Sequence, residues 1–207
     1  MNEARPTIFV VDDDESVRRA LGNLLESVGF EAQVFGSTEQ FRRVMLPDVP
    51  SCLVLDVRFP GANGLDFQQT LEQAGIHIPI IFITAHGDVP MASRALRAGA
   101  VEFLMKPFQK NDLLTAIERA LERDRVQRAQ YEELSVLQSR FAELTSRERE
   151  VLELVVTGLT NKEIGNRLGI SEVTTKMHRG QVMRKMNASS LAELVRMSDK
   201  LQASPRR

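Results

Sequence analysis

The sequence predicts an α/β fold: a five-stranded, doubly wound parallel sheet, followed by a long linker helix and an all-α domain of four short helices. Three observations carry this reading. Short runs that are apolar throughout alternate with helical periodicities over the first 110 residues. Neither Gly nor Pro interrupts the chain from Phe108 to Thr157. After Leu144 only helical patterns remain, each bounded by capping residues. The expected division is residues 1–123, a helical linker over 124–143, and a second domain over 144–207.

The strand runs come in order as "TIFVV" (7–11), "AQVFG" (32–36), "CLVL" (52–55), "IIFIT" (80–84) and "EFLM" (102–105). Strands without polar alternation are buried on both faces, which is the signature of a parallel sheet covered by helices on each side. Between them, Val17, Leu21, Leu24, Leu25 and Val28 recur at helical spacing, as do the apolar positions from Leu65 to Leu71 and from Met91 to Leu96. Cys52 lies inside a strand run and reads as a small buried hydrophobe. As the one cysteine of the chain it excludes a disulfide framework. No apolar run approaches the roughly 20 residues that span a membrane, and the expected compartment is the cytoplasm.

The linker opens as an amphipathic helix on Leu113, Ile117 and Leu121, turns highly charged, and regains an apolar stripe at Tyr131, Leu134, Phe141 and Leu144. A solvated helix and a coiled coil both fit it. "TSRE" then has the form of a capping box, opening a helix that runs to Val156 and stops at Gly158. "TNKEIGNRLG" gives a second helix closed by Gly169, and "SEVTTKMHRGQVMRKM" a third with Ser171 as its N-cap. "SSLAELVRMSD" gives a fourth, and "QASPRR" reads as a disordered tail.

Charge is distributed unevenly. Residues 1–110 hold ten Lys/Arg against fourteen Asp/Glu, whereas residues 146–207 hold twelve against seven. An acidic front and a basic back point to two modules with different partners.

In an open α/β sheet, function collects beyond the carboxyl ends of the strands. Asp12 and Asp13 follow the first strand, Asp56 the third and Lys106 the fifth, while Thr84 ends the fourth. Carboxylates gathered at one edge suit Mg²⁺, a hard cation that prefers oxygen ligands. An aspartate beside such an ion can attack a phosphoryl group and form an acyl phosphate. The new phosphate oxygens then need a cation and a hydroxyl, which Lys106 and Thr84 supply. A cis Lys106–Pro107 bond could aim the ammonium. Asp14 and Glu15 read differently, as acidic residues complementing a helix N-terminus.

"VVDDD", "LVLDVRFPGANGLDF" and "FITAHGDVPMASRALRAGAVEFLMKPF", in that order, resemble the receiver domain of two-component response regulators, a flavodoxin-like fold, and the last stretch is similar to receivers of the FixJ type. The resemblance covers residues 5–123. It implies Asp56 as phosphoacceptor, with Mg²⁺ held by Asp13, Asp56 and the backbone carbonyl of Arg58, and Asp12 assisting through water. It further implies Thr84 as the switch hydroxyl, Phe103 as the aromatic switch position and Lys106 as the phosphate clamp. Two departures stand out: Phe59 precedes Pro60 where many relatives have Met, and Phe103 lacks the hydroxyl of the commoner Tyr.

Two short helices joined by "GIS" fit a helix-turn-helix. "LTSREREVLELVVTGLTNKEIGNRLGISEVTTKMHRGQVMRKM" resembles the LuxR/NarL type over residues 144–198. That resemblance implies a recognition helix from Glu172 to Met186, with Lys176, Met177 and Gly180 at base-reading positions and Arg179 as a further contact. Asn161 and Lys162 are expected near phosphates. Gly180 has no side chain with which to read a base. Thr175 stands where the family has Val, on the packing face with His178, Val182 and Met186.

Together these imply a transcription regulator of the FixJ/NarL type and not an enzyme. Its implied partners are a sensor histidine kinase, double-stranded promoter DNA, RNA polymerase and, on phosphorylation, a second copy of the chain. Pairing through the face near Phe103 and pairing through the linker helix are both open. An aspartyl-phosphate phosphatase or ATPase shares the nucleophile but wants a "DKTGT" or "DxD" run, whereas Asp56 stands in "LDVRFP". A relay module with a vestigial second domain is disfavoured by the near-complete helix-turn-helix pattern.

Overall fold

The computed structural model describes residues 5–59 and 62–203. Pro60, one of the positions singled out above, and the last four residues of the expected tail lie outside them. The chain divides into two compact units, one ending at Gln127 and the other beginning at Arg128.

In the first unit β1 (Thr7–Val11), β2 (Glu31–Phe35), β3 (Ser51–Asp56), β6 (Ile80–Thr84) and β7 (Glu102–Met105) form a parallel sheet in the order β2-β1-β3-β6-β7. Every residue of β1, β3 and β6 is buried, which is why their sequences show no polar alternation. Alternate residues feed two cores. Phe9, Leu53, Leu55 and Phe82 pack on one face with Phe41 of α2 (Thr38–Arg42), Leu65 and Leu71 of α3 (Gly64–Gln73) and Ala95 of α4 (Val89–Arg97). Ile8, Val10, Val54, Ile81 and Ile83 pack on the other with Leu21 and Leu25 of α1 (Glu15–Ser27) and Leu113, Ile117 and Leu121 of α5 (Lys110–Ala142). Cys52 is fully buried in this second core, and burial pushes its thiol pKa far up, so it is inert.

Three elements are absent from the sequence reading. The single turn α2 presents one buried apolar side chain, Phe41, too little for a periodicity. β4 (Arg58–Phe59) and β5 (Ala62–Asn63) form a two-residue antiparallel pair.

α5 contributes to both units. Asp124, buried on it, accepts a hydrogen bond from Ser51 N at 2.9 Å at the start of β3, tying the helix to the sheet. Further along, Leu137 and Phe141 belong to the core of the second unit. Residues 124–143, expected as a linker, are therefore shared between the two cores.

The second unit adds α6 (Ser146–Val156), α7 (Asn161–Leu168), α8 (Glu172–Met186) and α9 (Leu191–Ala203) around Leu152, Val155, Ile164, Val182, Met186 and Leu194. Thr145 with Glu148, and Thr160 with Glu163, form complete capping boxes, and Ser171 caps α8. Lys185 Nζ lies 2.6 Å from Glu148 Oε2, and this contact holds the buried Glu148 carboxyl below the ordinary carboxylate range. The turn between α7 and α8 is tight. A Cβ at Gly165 would stand 2.8 Å from Ile170 O, so only glycine lets the backbones approach there. Thr175 is fully buried behind that turn, and its hydroxyl donates to Ser171 O at 3.1 Å, a partner that makes a polar residue acceptable where an aliphatic one would fit.

Because Leu137 and Phe141 sit in its core, a fragment starting at Arg128 should unfold cooperatively in urea. One starting at Leu144 should be less stable by about 2–5 kcal/mol, the usual cost of deleting a buried Leu. Coincident denaturation curves would show that the α5 segment adds nothing.

Candidate functional site

The strand order reverses between β1 and β3, and the acidic cluster sits beyond the carboxyl ends of those two strands. Parallel register pairs Val11 with Leu55, which brings Asp12 alongside Asp56. Lys106, beyond the end of β7, is brought in by the β6–β7 pairing, its N–H donating to Thr84 O at 2.8 Å. The Lys106–Pro107 bond is cis.

Lys106 Nζ lies 2.6 Å from Asp12 Oδ2 and 2.6 Å from Asp56 Oδ2. The remaining carboxylate oxygens are also engaged. Asp12 Oδ1 accepts from Asp14 N at 2.9 Å, and Asp56 Oδ1 accepts from Arg58 N at 3.0 Å. Arg18, from α1, donates to Asp12 O at 2.7 Å and so fixes the backbone of the β1–α1 turn. Burial pushes the Asp12 carboxyl above the ordinary carboxylate value despite Lys106 beside it. Burial also works against the Lys106 ammonium, but the two carboxylates outweigh it and raise its pKa.

Asp13 is exposed at the rim, and oxygens of Asp12, Asp13 and Asp56 all lie within 4.8 Å of one another. An all-oxygen donor set of this size fits a divalent hard cation. Charge fits as well, because three carboxylates against one ammonium leave two negative charges. Asp14 is not part of this set. It is the N-cap of α1 and accepts from Ser16 N and Val17 N, and its carboxyl pKa is lowered first by the Ser16 hydroxyl and then by these two N–H groups.

Thr84 is buried at the end of β6, and its hydroxyl accepts from His86 N at 3.2 Å, with no hydrogen bond to Asp12 or Asp56 among the described residues. Phe103, on β7, is half-buried, its ring centroid 6.4 Å from that of Phe82.

In the second unit, α8 carries four basic residues with different duties. Lys185 is paired with Glu148, Arg184 donates to Gln181, and Arg179 Nη1 donates to Asn161 Oδ1 at 3.2 Å, linking α8 to α7. Among the described residues Lys176 alone of the four has no side-chain partner, and it is exposed. Met177 beside it is 56% exposed, and the space where a Gly180 side chain would stand is open. Lys162 is exposed near the start of α7. His178 is half-buried on the packing side. One residue of this face escapes sequence reading: Val173, 79% exposed, one helical turn before Met177. A lone Val gives no signal until the helix is seen to leave it outside.

The response regulator receiver domain family matches residues 8–118, and the luxR family of bacterial regulatory proteins matches residues 142–198. Nodulation protein W of Bradyrhizobium diazoefficiens is 53% identical over 94% of this chain and 86% of its own length. The transcriptional regulatory protein FixJ of Rhizobium meliloti is 44% identical over 93% of this chain and 94% of its own. Among solved structures, the response regulator StyR is 49% identical, with a TM-score of 0.83 over 95% of this chain and 100% of that one. The chain therefore belongs to the two-component response regulators that join a receiver domain to a LuxR-type helix-turn-helix, and it is a DNA-binding transcriptional regulator, not an enzyme.

Proposed function

We propose that Asp56 is the phosphoacceptor, and that its phosphorylation by a sensor histidine kinase promotes pairing of two chains on promoter DNA. The observation that supports this most directly is the double contact of Lys106 with Asp12 and Asp56 at the strand-order reversal. In the transfer, an Asp56 oxygen forms a bond to phosphorus as the phosphohistidine P–N bond breaks, and the imidazole nitrogen keeps the electron pair. Lys106 needs to move only from the Asp56 carboxylate to a phosphoryl oxygen to keep a partner of the same charge. Mg²⁺ bound by Asp13, Asp56 and the Arg58 carbonyl, with Asp12 reached through water, would offset the charge that builds up on the phosphoryl oxygens.

Thr84 holds its hydroxyl on a single backbone N–H, a bond weak enough to exchange for a charged phosphoryl oxygen. Its rotation opens space behind it for the Phe103 ring. The surface that then changes includes Val89 at 83%, Leu96 at 45% and Met105 at 52% exposure, an apolar face suited to a second receiver. On DNA, Lys176 and Met177 read base edges beside the gap left by Gly180. Lys162 contacts phosphate, and the Arg179–Asn161 hydrogen bond sets the angle of α8 while Arg179 keeps further donors for the backbone. RNA polymerase is the partner downstream, and the site of action is the cytoplasm. We place the domain boundaries by the two cores, with α5 beginning in the receiver and ending in the DNA-binding domain.

A small phosphodonor with Mg²⁺ should add one phosphoryl mass to the chain, and Asp56→Asn or excess chelator should abolish it. Label that survives either change sinks the assignment. By sedimentation velocity, residues 1–127 should dimerise on addition of beryllofluoride and Mg²⁺. Monomers in both states, beside a dimer of the full chain, move the interface to α5. Lys176→Ala should weaken specific binding by about 1–3 kcal/mol, the worth of a good base contact, while the steep salt dependence from phosphate contacts persists. Equal affinity for a selected site removes Lys176 from the readout.

A further inference from the structure

Gly87 lies in the loop between β6 and α4, next to Asp88, whose side chain caps α4 by accepting from Met91 N at 2.7 Å. Its φ is outside the left-handed region that Gly29, Gly75 and Gly99 occupy, so turn geometry does not require glycine here. Space does. A Cβ at this position would stand 2.9 Å from Thr84 Cγ2, 2.9 Å from Phe103 Cε1 and 3.0 Å from Phe103 Cζ. Carbon atoms in contact rest at about 3.5–4.0 Å, so the three groups could not all keep their places. The three nearest atoms come from only two side chains, and those are the hydroxyl-bearing and aromatic residues assigned to the switch.

We propose that Gly87 is a positioning residue for the switch, keeping the Thr84 methyl and the Phe103 ring against one bare Cα so that movement of Thr84 is transmitted to the ring. The proposal rests on Asp56 being the phosphoacceptor. Thr84 is β-branched, so Oγ1 and Cγ2 turn together about one stiff torsion. Carrying the hydroxyl from His86 N to a phosphoryl oxygen necessarily moves the methyl off Gly87. The ring edge, already at the same Cα, takes the vacated volume. A methyl group on residue 87 fills that volume first. The ring is then held outward whichever way Thr84 turns.

The test uses the full chain grown with fluorinated phenylalanine, its Phe103 ¹⁹F resonance assigned by its loss in Phe103→Leu. With Mg²⁺ and beryllofluoride the Phe103 resonance of the parent should shift. In Gly87→Ala, phosphodonor labelling of Asp56, read by intact mass, should persist while the shift at Phe103 is lost. Thr84→Ser keeps the hydroxyl but removes Cγ2, the group whose movement opens the volume, so it should lose the shift as well. The G87A/T84S double variant should then be no worse than either single change, a non-additivity that two independent packing defects do not produce. If Gly87→Ala unfolds the receiver, Thr84→Ser alone, which adds no volume, carries the test. A normal shift in Gly87→Ala overturns the proposal, as does a normal shift in Thr84→Ser. A labelled parent whose Phe103 resonance stays put overturns it too, and leaves the phosphoacceptor assignment standing. A parent that takes no label removes both.

Discussion

Two carboxylates on neighbouring parallel strands share one ammonium, and the first domain is organised by what it takes to keep them together. Lys106 is separated from Asp12 by 94 residues and from Asp56 by 50, yet it touches both at 2.6 Å. Three sheet registers must hold at once for that contact to exist: β1 on β3, β3 on β6 and β6 on β7. A slip of one residue in any of them would exchange side chains between the two cores as well as parting the charges. Burying such a contact is not a source of stability in itself, since the lost hydration of two carboxylates offsets much of the attraction. The two apolar cores on either side of the sheet supply the stability, and the charge cluster is tolerated at their edge. Three carboxylates against one ammonium leave that edge with residual negative charge, which suits the divalent cation proposed above.

Much of this was legible in the sequence because it rests on short-range rules. Fully apolar strand runs announced the doubly covered sheet, and the strand ends located Asp12, Asp56, Thr84 and Lys106 without any long-range information. Asp14 was separable from its neighbours by one local fact, its position directly before a helical periodicity, and it is indeed the N-cap. The elements that escaped are those too small to carry a period: α2 with one buried Phe, and the pair β4–β5 of two residues each. Tertiary partnership was the other blind spot. Charge alone made Arg179, Lys185 and Lys176 equivalent, whereas the fold commits Lys185 to Glu148 and Arg179 to Asn161. Nor can a sequence show that Gly87 is a matter of volume and not of backbone angle, since both demands select the same residue.

The same division between structural and available charge bears on how α8 can discriminate DNA sequences. With Lys185 committed to Glu148 and Arg179 hydrogen-bonded to Asn161, Lys176 is the one basic side chain on the helix that is exposed and without a protein partner among the described residues. Around it stand Val173 and Met177, both exposed and apolar, and the gap at Gly180. Such a face offers few hydrogen-bond donors to base edges. The chemistry it does offer is apolar contact, which in the major groove is met by the thymine methyl group. On the DNA-reading role proposed for α8, the missing side chain at Gly180 would let the helix lie closer to the groove floor, where base-step geometry as well as base identity is felt. Affinity would then come mainly from phosphate contacts, and specificity from the proposed Lys176 base contact together with shape and methyl groups. A single domain reading DNA this way discriminates weakly, and two domains held on adjacent half-sites multiply what each supplies. On the pairing proposed above, this would be the physical reason for a receiver that brings two copies together.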